Sequence, residues 1–302
     1  MELMKSICVT GGNGLLGTKL LDLAHQKYRI ISLDCQNAPL LPETSVEYVQ
    51  CDITDREKVN QILSRTRPEA VFHTAAFTDV DRCELEKEKC WNVNVRGTEN
   101  VALACKAIGA KMIHISTDYV FDGTNGPYSE EDIPNPISYY GKTKWESEQI
   151  VKKILEDFVI VRTTVLYGYA PGVRLNFVTW LIEKLRNHEP VYITEDQYGT
   201  PTLADDLAKA LLMLFEKNRT GIYNGAGREY VNRYVFAQKV AEIFGLNCSF
   251  IFSTSTEQLR QPAPRPKKGG LKIDKLTRDL GISFSDVREG LIFMKDQMKY
   301  SK

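Results

Sequence analysis

The chain has 302 residues, with 39 basic and 39 acidic side chains and a formal net charge of zero. That balance argues against a broad basic field for a nucleic acid polymer, and no apolar run approaches the length of a membrane-spanning helix. Seven cysteines without a Cys-x-x-Cys pair and four histidines without ligand spacing predict a reducing compartment and no metal site. A strand-like run begins almost at the N-terminus with no signal-peptide pattern before it, so the expected location is the cytoplasm.

In chain order, β-branched runs alternate with helical stretches, the pattern of a parallel sheet wrapped by helices. Strands are predicted at Ile7–Thr10, Arg29–Leu33, Val46–Gln50, Ala70–Thr74, Lys111–Ser116 and Phe158–Thr163. Helices are predicted at Gly14–His25, at Asp55–Ser64 with Thr54 or Asp55 as cap, and over one long stretch Glu84–Ile108 stopped by Gly109. Cys8, Cys51 and Cys105 read as core, whereas Cys83 and Cys90 flank a charged helical stretch and are expected nearer solvent. His73 and His114 lie in apolar strand runs and read as hydrogen-bonded core residues. Beyond Thr163 the rhythm becomes irregular, with helices at Leu175–Arg186, Leu203–Glu216 and Tyr234–Phe244, a strand at Val191–Thr194 and a proline-rich loop at Gln261–Gly270. This predicts a Rossmann-type, doubly wound α/β domain over residues 1–165 that takes back about 200–225, and a smaller, partly interleaved substrate domain over 166–302.

Thr10-Gly11-Gly12-Asn13-Gly14-Leu15-Leu16-Gly17 falls between the first strand and the first helix. Gly11, Gly14 and Gly17 permit a tight turn, close approach of a pyrophosphate and tight helix-on-sheet packing, while the amides of the helix start face the phosphates. Asn13, Leu15 and Leu16 belong to the same cofactor loop. Asp34 ends the second strand, where a carboxylate accepts the adenosine ribose hydroxyls and repels a 2′-phosphate, favouring NADH over NADPH. Asp52 and Ile53, after the third strand, are positioned for the adenine.

Tyr140 and Lys144 stand four residues apart, on one helical face. A phenol titrates at about 10 and is a poor base at neutral pH; a fixed cation beside it is expected to lower that value toward a useful range. Thr117, at a strand end upstream, is placed to hold the oxygen that Tyr140 protonates.

Several separate segments, running nearly end to end, resemble the dTDP-4-dehydrorhamnose reductase family of extended short-chain dehydrogenases/reductases. They are Ala75-Ala76-Phe77-Thr78-Asp79-Val80-Asp81, Asn92-Val93-Asn94 with Gly97-Thr98, Ser116 to Gly123, and the Tyr140/Lys144 pair. Arg162-Thr163-Thr164, Asn176-Phe177, Asp196 to Thr202 and Arg265-Pro266 extend the resemblance. It implies Tyr140 as general acid, Lys144 as the residue that orients the nicotinamide ribose, and Thr117 as holder of the carbonyl. It also implies Ala75, Ala76, Thr78 and Asn94 beside the cofactor, and Asp118, Tyr119, Val165, Asn176 and Arg265 around the sugar nucleotide. The implied reaction is hydride transfer from NADH or NADPH to C4 of a nucleotide-linked 4-keto-6-deoxyhexose, most nearly dTDP-4-dehydro-L-rhamnose to dTDP-L-rhamnose, and a homodimer is compatible with it. Bacterial members carry a tryptophan about where Val165 stands, so the sugar pocket here lacks a planar wall; a family magnesium site at a dimer contact has no matching acidic cluster in this chain.

Two other functions compete. A nucleotide-sugar epimerase or dehydratase with tightly held NAD would need an acid pair after the threonine, often Asp-Glu, where this chain has Asp118-Tyr119. A non-catalytic regulatory subunit resembling methionine adenosyltransferase subunit beta would keep the fold without the reaction.

Overall fold

The structure is a computed structural model that describes residues 4–40 and 46–300. The ends of the two expected domains, residues 1–3 and 301–302, lie outside the described residues.

Six strands, β1 (Ser6–Thr10), β2 (Arg29–Asp34), β3 (Val46–Gln50), β4 (Ala70–His73), β5 (Lys111–Thr117) and β6 (Phe158–Thr163), form one parallel sheet with a seventh, Gly221–Asn224. Its order is Gly221–Asn224, β6, β5, β4, β1, β2, β3, so the winding reverses between β1 and β4. At such a reversal the loops on the two sides part and leave a crevice at the carboxyl ends of the strands. Buried residues fall on both faces, as a doubly covered parallel sheet requires. Helices α1 (Leu15–Ala24) and α8 (Ala204–Glu216) pack on one face through Leu20, Leu207 and Leu211. Helices α2 (Arg56–Thr66), α5 (Thr98–Ile108) and α6 (Tyr139–Ile154) contribute Val59, Val101 and Val151 to the other.

Local chemistry sets the helix ends. The Asp55 carboxylate accepts the Lys58 N–H and starts α2, Ser138 Oγ accepts the Gly141 N–H and starts α6, and Gly109 ends α5 at φ 71°.

The expected single helix Glu84–Ile108 is instead three helices and a widened turn. Helix α3 (Val80–Leu85) starts behind Asp79, α4 (Lys87–Trp91) follows a break at Glu86, and a π-helical turn, Asn92–Gly97, leads into α5. Inside the π turn, Asn94 Nδ2 donates to Phe77 O and to Thr143 Oγ1, both at 3.1 Å, while its Oδ1 accepts the Phe77 N–H at 2.8 Å. Those side-chain bonds compete with the regular helix ladder, which helical periodicity alone does not register. Cys83 and Cys90, expected nearer solvent, are both fully buried, because α3 and α4 turn them onto Tyr140 on α6.

A third apolar cluster lies away from the main sheet. It joins Tyr167, α7 (Phe177–Arg186), Val191–Thr194, α9 (Arg233–Phe244), Ile251 and Val287–Met294. Two segments of the second half return to the main sheet: α8 with Gly221–Asn224, and the stretch containing Leu276, Leu280 and Phe284. The strand Gly221–Asn224 escapes sequence reading because it is a four-residue edge strand beginning with glycine. Among the described residues, no helix is long and apolar enough to cross a membrane.

Candidate active site

The glycine loop lies at the point where the winding reverses. Gly11 N–H donates to Leu33 O at 2.7 Å, and a Cβ on Gly17 would lie 2.2 Å from Gly11 O, so helix and loop touch backbone to backbone. A Cβ on Gly14 would meet little beyond Gly11 O, and no side chain caps α1, so the amides of Leu15 and Leu16 open its N-terminus. This geometry fits a dinucleotide pyrophosphate.

Asp34 is buried, with Oδ2 accepting the Asn13 N–H at 3.0 Å and Oδ1 the Gln36 N–H at 3.1 Å. The Asn13 side chain clasps the following turn: Nδ2 donates to Ala38 O at 2.9 Å, and Oδ1 accepts the Leu40 N–H at 2.9 Å. Residues 34–47 include no lysine or arginine, so that part of the chain offers no cation to a 2′-phosphate. Ala75 N–H donates to Thr10 Oγ1 at 3.3 Å, which brings Ala75 and Ala76 alongside the glycine loop, and Thr78 is exposed beyond them. Asp52 is exposed and ties down its own turn through Thr54, whereas Ile53 is buried against Gly97. Asp52, Asn92 and Val93 line a surface groove of about 580 Å³.

Thr117 ends β5, and Tyr140 and Lys144 stand on the first turns of α6; all three are buried. A Cβ on Gly141 would lie 2.2 Å from Tyr119 O, so the absence of a side chain there lets α6 press Tyr140 against the Thr117 turn. Tyr119 N–H donates to Thr117 Oγ1 at 3.2 Å, and the Tyr119 and Tyr140 rings meet edge to face at 5.7 Å. Contrary to expectation, the Tyr140 phenol is pushed up, above its ordinary value. Burial is the main cause and the Thr117 hydroxyl in hydrogen-bond reach only partly offsets it, while Cys83, Asp118 and Tyr119 add to the rise. The Lys144 ammonium lies 3.3 Å from His114 Nε2, and burial lowers it to about 8 against the pull of Glu148 and Cys90.

Asp118 accepts from Thr164 Oγ1 at 2.8 Å and from the Gly270 N–H at 3.1 Å, while burial pushes its carboxyl up. The proline-rich loop is stitched to the same turn, since Gly126 N–H donates to Lys268 O and Lys268 N–H to Gly123 O. Arg265 pairs with Asp81 at 2.9 Å. Val165 has φ 45°, a strained conformation for a β-branched residue, and its carbonyl accepts the Thr202 N–H at 3.2 Å.

Two expected ligand residues already hold several hydrogen bonds within the protein. Asn94 spends both ends of its amide on Phe77 and Thr143. Asn176 caps α7, accepting the Val178 and Thr179 N–H groups and donating to Gly168 O, the usual task of an asparagine ahead of a helix.

Sequence reading missed Arg233. It starts α9, is half-buried and lies with its guanidinium 5.4 Å from the Phe177 ring centre. Enclosure holds it below its ordinary value; Tyr119 and Asp118 oppose that shift and Arg265 adds to it, so these charged and phenolic groups converge on one place. Among the described residues, no carboxylate forms an ion pair with Arg233, although several anionic side chains elsewhere are paired. An arginine following an asparagine cap carries no local signal of this. The buried pair Glu148–Arg162 was missed as well; it is bidentate at 2.9 and 2.8 Å, with Ser116 Oγ donating to Glu148 at 2.6 Å.

A parallel sheet with a glycine loop at its winding reversal defines a Rossmann-type dinucleotide-binding fold. The family model described as RmlD substrate binding domain matches residues 4–300, and the chain belongs to that family. It is 31% identical to a dTDP-4-dehydrorhamnose reductase of Aggregatibacter actinomycetemcomitans over 95% of this chain and 97% of that one. It is also 31% identical to methionine adenosyltransferase 2 subunit beta of Rattus norvegicus, over 92% of this chain and 83% of that one. Among solved structures, the dTDP-4-dehydrorhamnose reductase of Bacillus anthracis in complex with NADP is similar at a TM-score of 0.88 and 31% identity, covering 98% of this chain and all of that one.

Proposed function

We propose that the chain reduces the C4 carbonyl of a nucleotide-linked 4-keto-6-deoxyhexose with NADH or NADPH, converting dTDP-4-dehydro-L-rhamnose to dTDP-L-rhamnose. The observation that carries this reading is the Thr117 hydroxyl within reach of the Tyr140 phenol at the carboxyl edge of the sheet, with Lys144 one helical turn on, in a chain of the RmlD family.

The nicotinamide supplies the hydride when bound. Tyr140 supplies the proton: its O–H bond breaks as the carbonyl oxygen becomes a hydroxyl, leaving a phenolate to be reprotonated from solvent. A phenol held above its ordinary value stays protonated at neutral pH, which suits an acid acting in the direction of reduction. Thr117 holds the carbonyl oxygen, and Lys144 binds the nicotinamide ribose and offsets the phenolate charge. Asp34 takes the adenosine ribose hydroxyls, which favours NADH. Arg233 and Arg265 receive the diphosphate of the sugar nucleotide; that Arg233 has no ion-pair partner among the described residues supports this. Val165 and Asp118 border the sugar.

The same reading assigns residues 1–165, with about 200–225, to the cofactor domain and most of 166–302 to the substrate domain, and it puts the reaction in the cytoplasm, where the seven free cysteines stay reduced.

The test is oxidation of NADH and NADPH in the presence of dTDP- and UDP-linked 4-keto sugars. Turnover with dTDP-4-dehydro-L-rhamnose is expected, and no oxidation with any of these sugars overturns the proposal. NAD retained stoichiometrically through purification would point to an epimerase or dehydratase instead.

A further inference from the structure

Two histidines stand side by side in the middle of the sheet. The register pairs Thr10 with His73 and His73 with His114, so one row crosses β1, β4 and β5. The two imidazoles stack at 5.3 Å, both buried. They are otherwise unalike. His73 is fully satisfied: Nδ1 is 2.8 Å from Thr10 Oγ1, and Nε2 is 3.1 Å from Thr98 Oγ1. Thr98 gives its own proton to Asn94 O, so His73 Nε2 carries the hydrogen and donates it. Burial first, then Lys144, holds His73 down to about 3, so it is neutral.

His114 has one orphan nitrogen and one contested nitrogen. Nδ1 is buried without a partner. Nε2 lies 2.9 Å from Ser147 Oγ and 3.3 Å from Lys144 Nζ. The Ser147 hydroxyl donates to Lys144 O at 2.7 Å, so its proton is spent and toward His114 it can only accept. Nε2 therefore has two exclusive states. With hydrogen, it donates to Ser147; without, its lone pair accepts from the Lys144 ammonium. A charged donor makes the stronger bond, so ammonium at Lys144 selects the second state. Burial, with Lys144 and His73 adding to it, keeps the ring far below its ordinary value and uncharged.

We propose that His114 is a positioning residue for Lys144: its neutral imidazole offers the Nε2 lone pair to the ammonium, holding Lys144 charged and in place one helical turn from Tyr140 on α6. The groups facing Lys144 are His114 on β5, His73 on β4, Cys90 on α4, and Glu148 on its own helix. Glu148 is committed to Arg162 and Ser116, which leaves His114 as the near acceptor. The catalytic consequence rests on the proposed reductase function; the titration of Lys144 does not.

The test follows the ¹³Cε shift of Lys144 with pH in the full chain, assigned by its loss in Lys144→Met, alongside the alkaline limb of kcat. In His114→Leu the acceptor is gone, and the Lys144 midpoint is expected to fall by about one pH unit, the worth of one hydrogen bond to a charged group. His114→Gln, whose amide oxygen can accept, restores the midpoint at least in part. An unchanged or raised midpoint in His114→Leu overturns the proposal. Should His114→Leu fail to fold, Ser147→Ala takes its place. It leaves Nε2 to Lys144 alone and is expected to raise the midpoint; a fall or no change overturns the proposal. A shifted midpoint in a protein that turns over none of the sugars keeps this inference and removes the reductase reading.

Discussion

The proposed cofactor side and the proposed sugar side of the cleft are built by opposite means. On the cofactor side, Asn13 N–H reaches the Asp34 carboxylate across 21 residues, from two turns at the ends of adjacent strands. On the sugar side, the Gly270 N–H reaches Asp118 across 152 residues, and Thr164 and Arg233 join from two further segments. The first site needs one strand–helix–strand unit, β1–α1–β2; the second exists only when the second half of the chain has closed over the first. A site of the first kind is written in adjacent residues and announces itself by spacing. One of the second kind is written in separate segments and is visible only as geometry.

The strongest test strikes the seam between the sides. Tyr140→Phe is expected to lower kcat by about 10²–10⁴-fold while leaving NADH affinity by calorimetry unchanged; retained activity would remove Tyr140 as the proton donor. Next comes the sugar side. Arg233→Met keeps an apolar stem over Phe177 but removes the charge. It is expected to raise the KM for the sugar nucleotide about 10–100-fold, the worth of one charge-assisted hydrogen bond, with NADH affinity unaltered. An equal loss of NADH binding would break the division between the sides. The smallest effect belongs to the cofactor side: Asp34→Ser should raise kcat/KM for NADPH relative to NADH about tenfold, with no change in the KM of the sugar nucleotide. A ratio that does not move would mean that the clasp by Asn13, and not the carboxylate, sets cofactor choice.

Much of the first half is legible without coordinates. Strands β1 to β6 fall at or within a residue or two of their expected positions, since each is a short β-branched run between turn residues. The glycine loop is legible for the same local reason. The helical stretch after Thr78 is not, because the Asn94 side chain bonds that widen it depend on Phe77 and on Thr143, 49 residues away. The burial of Cys83 and Cys90 is hidden on similar grounds: charged neighbours describe one face of a helix, and packing against α6 occupies the other. The titration of Tyr140 reversed the simplest reading of its spacing to Lys144. Helical spacing puts the two residues on one face, but burial and the direction of each side chain decide which charge each one meets.

The amino-acid sequence by itself determined the α/β class, the parallel sheet and the glycine loop between β1 and α1, and it named Asp34, Thr117, Tyr140 and Lys144 as candidates for the site. Each of these depends on short-range periodicity, turn chemistry or spacing along one element. Tertiary structure alone decided that Arg233 lies near Asp118 and Arg265 with no ion pair among the described residues, that Asn94 and Asn176 hold bonds within the fold, and that His114 is the residue against which the Lys144 ammonium rests. These are matters of desolvation and of contact between distant segments. Both arise only when the sheet has brought its strands into register and the second half of the chain has packed across their ends.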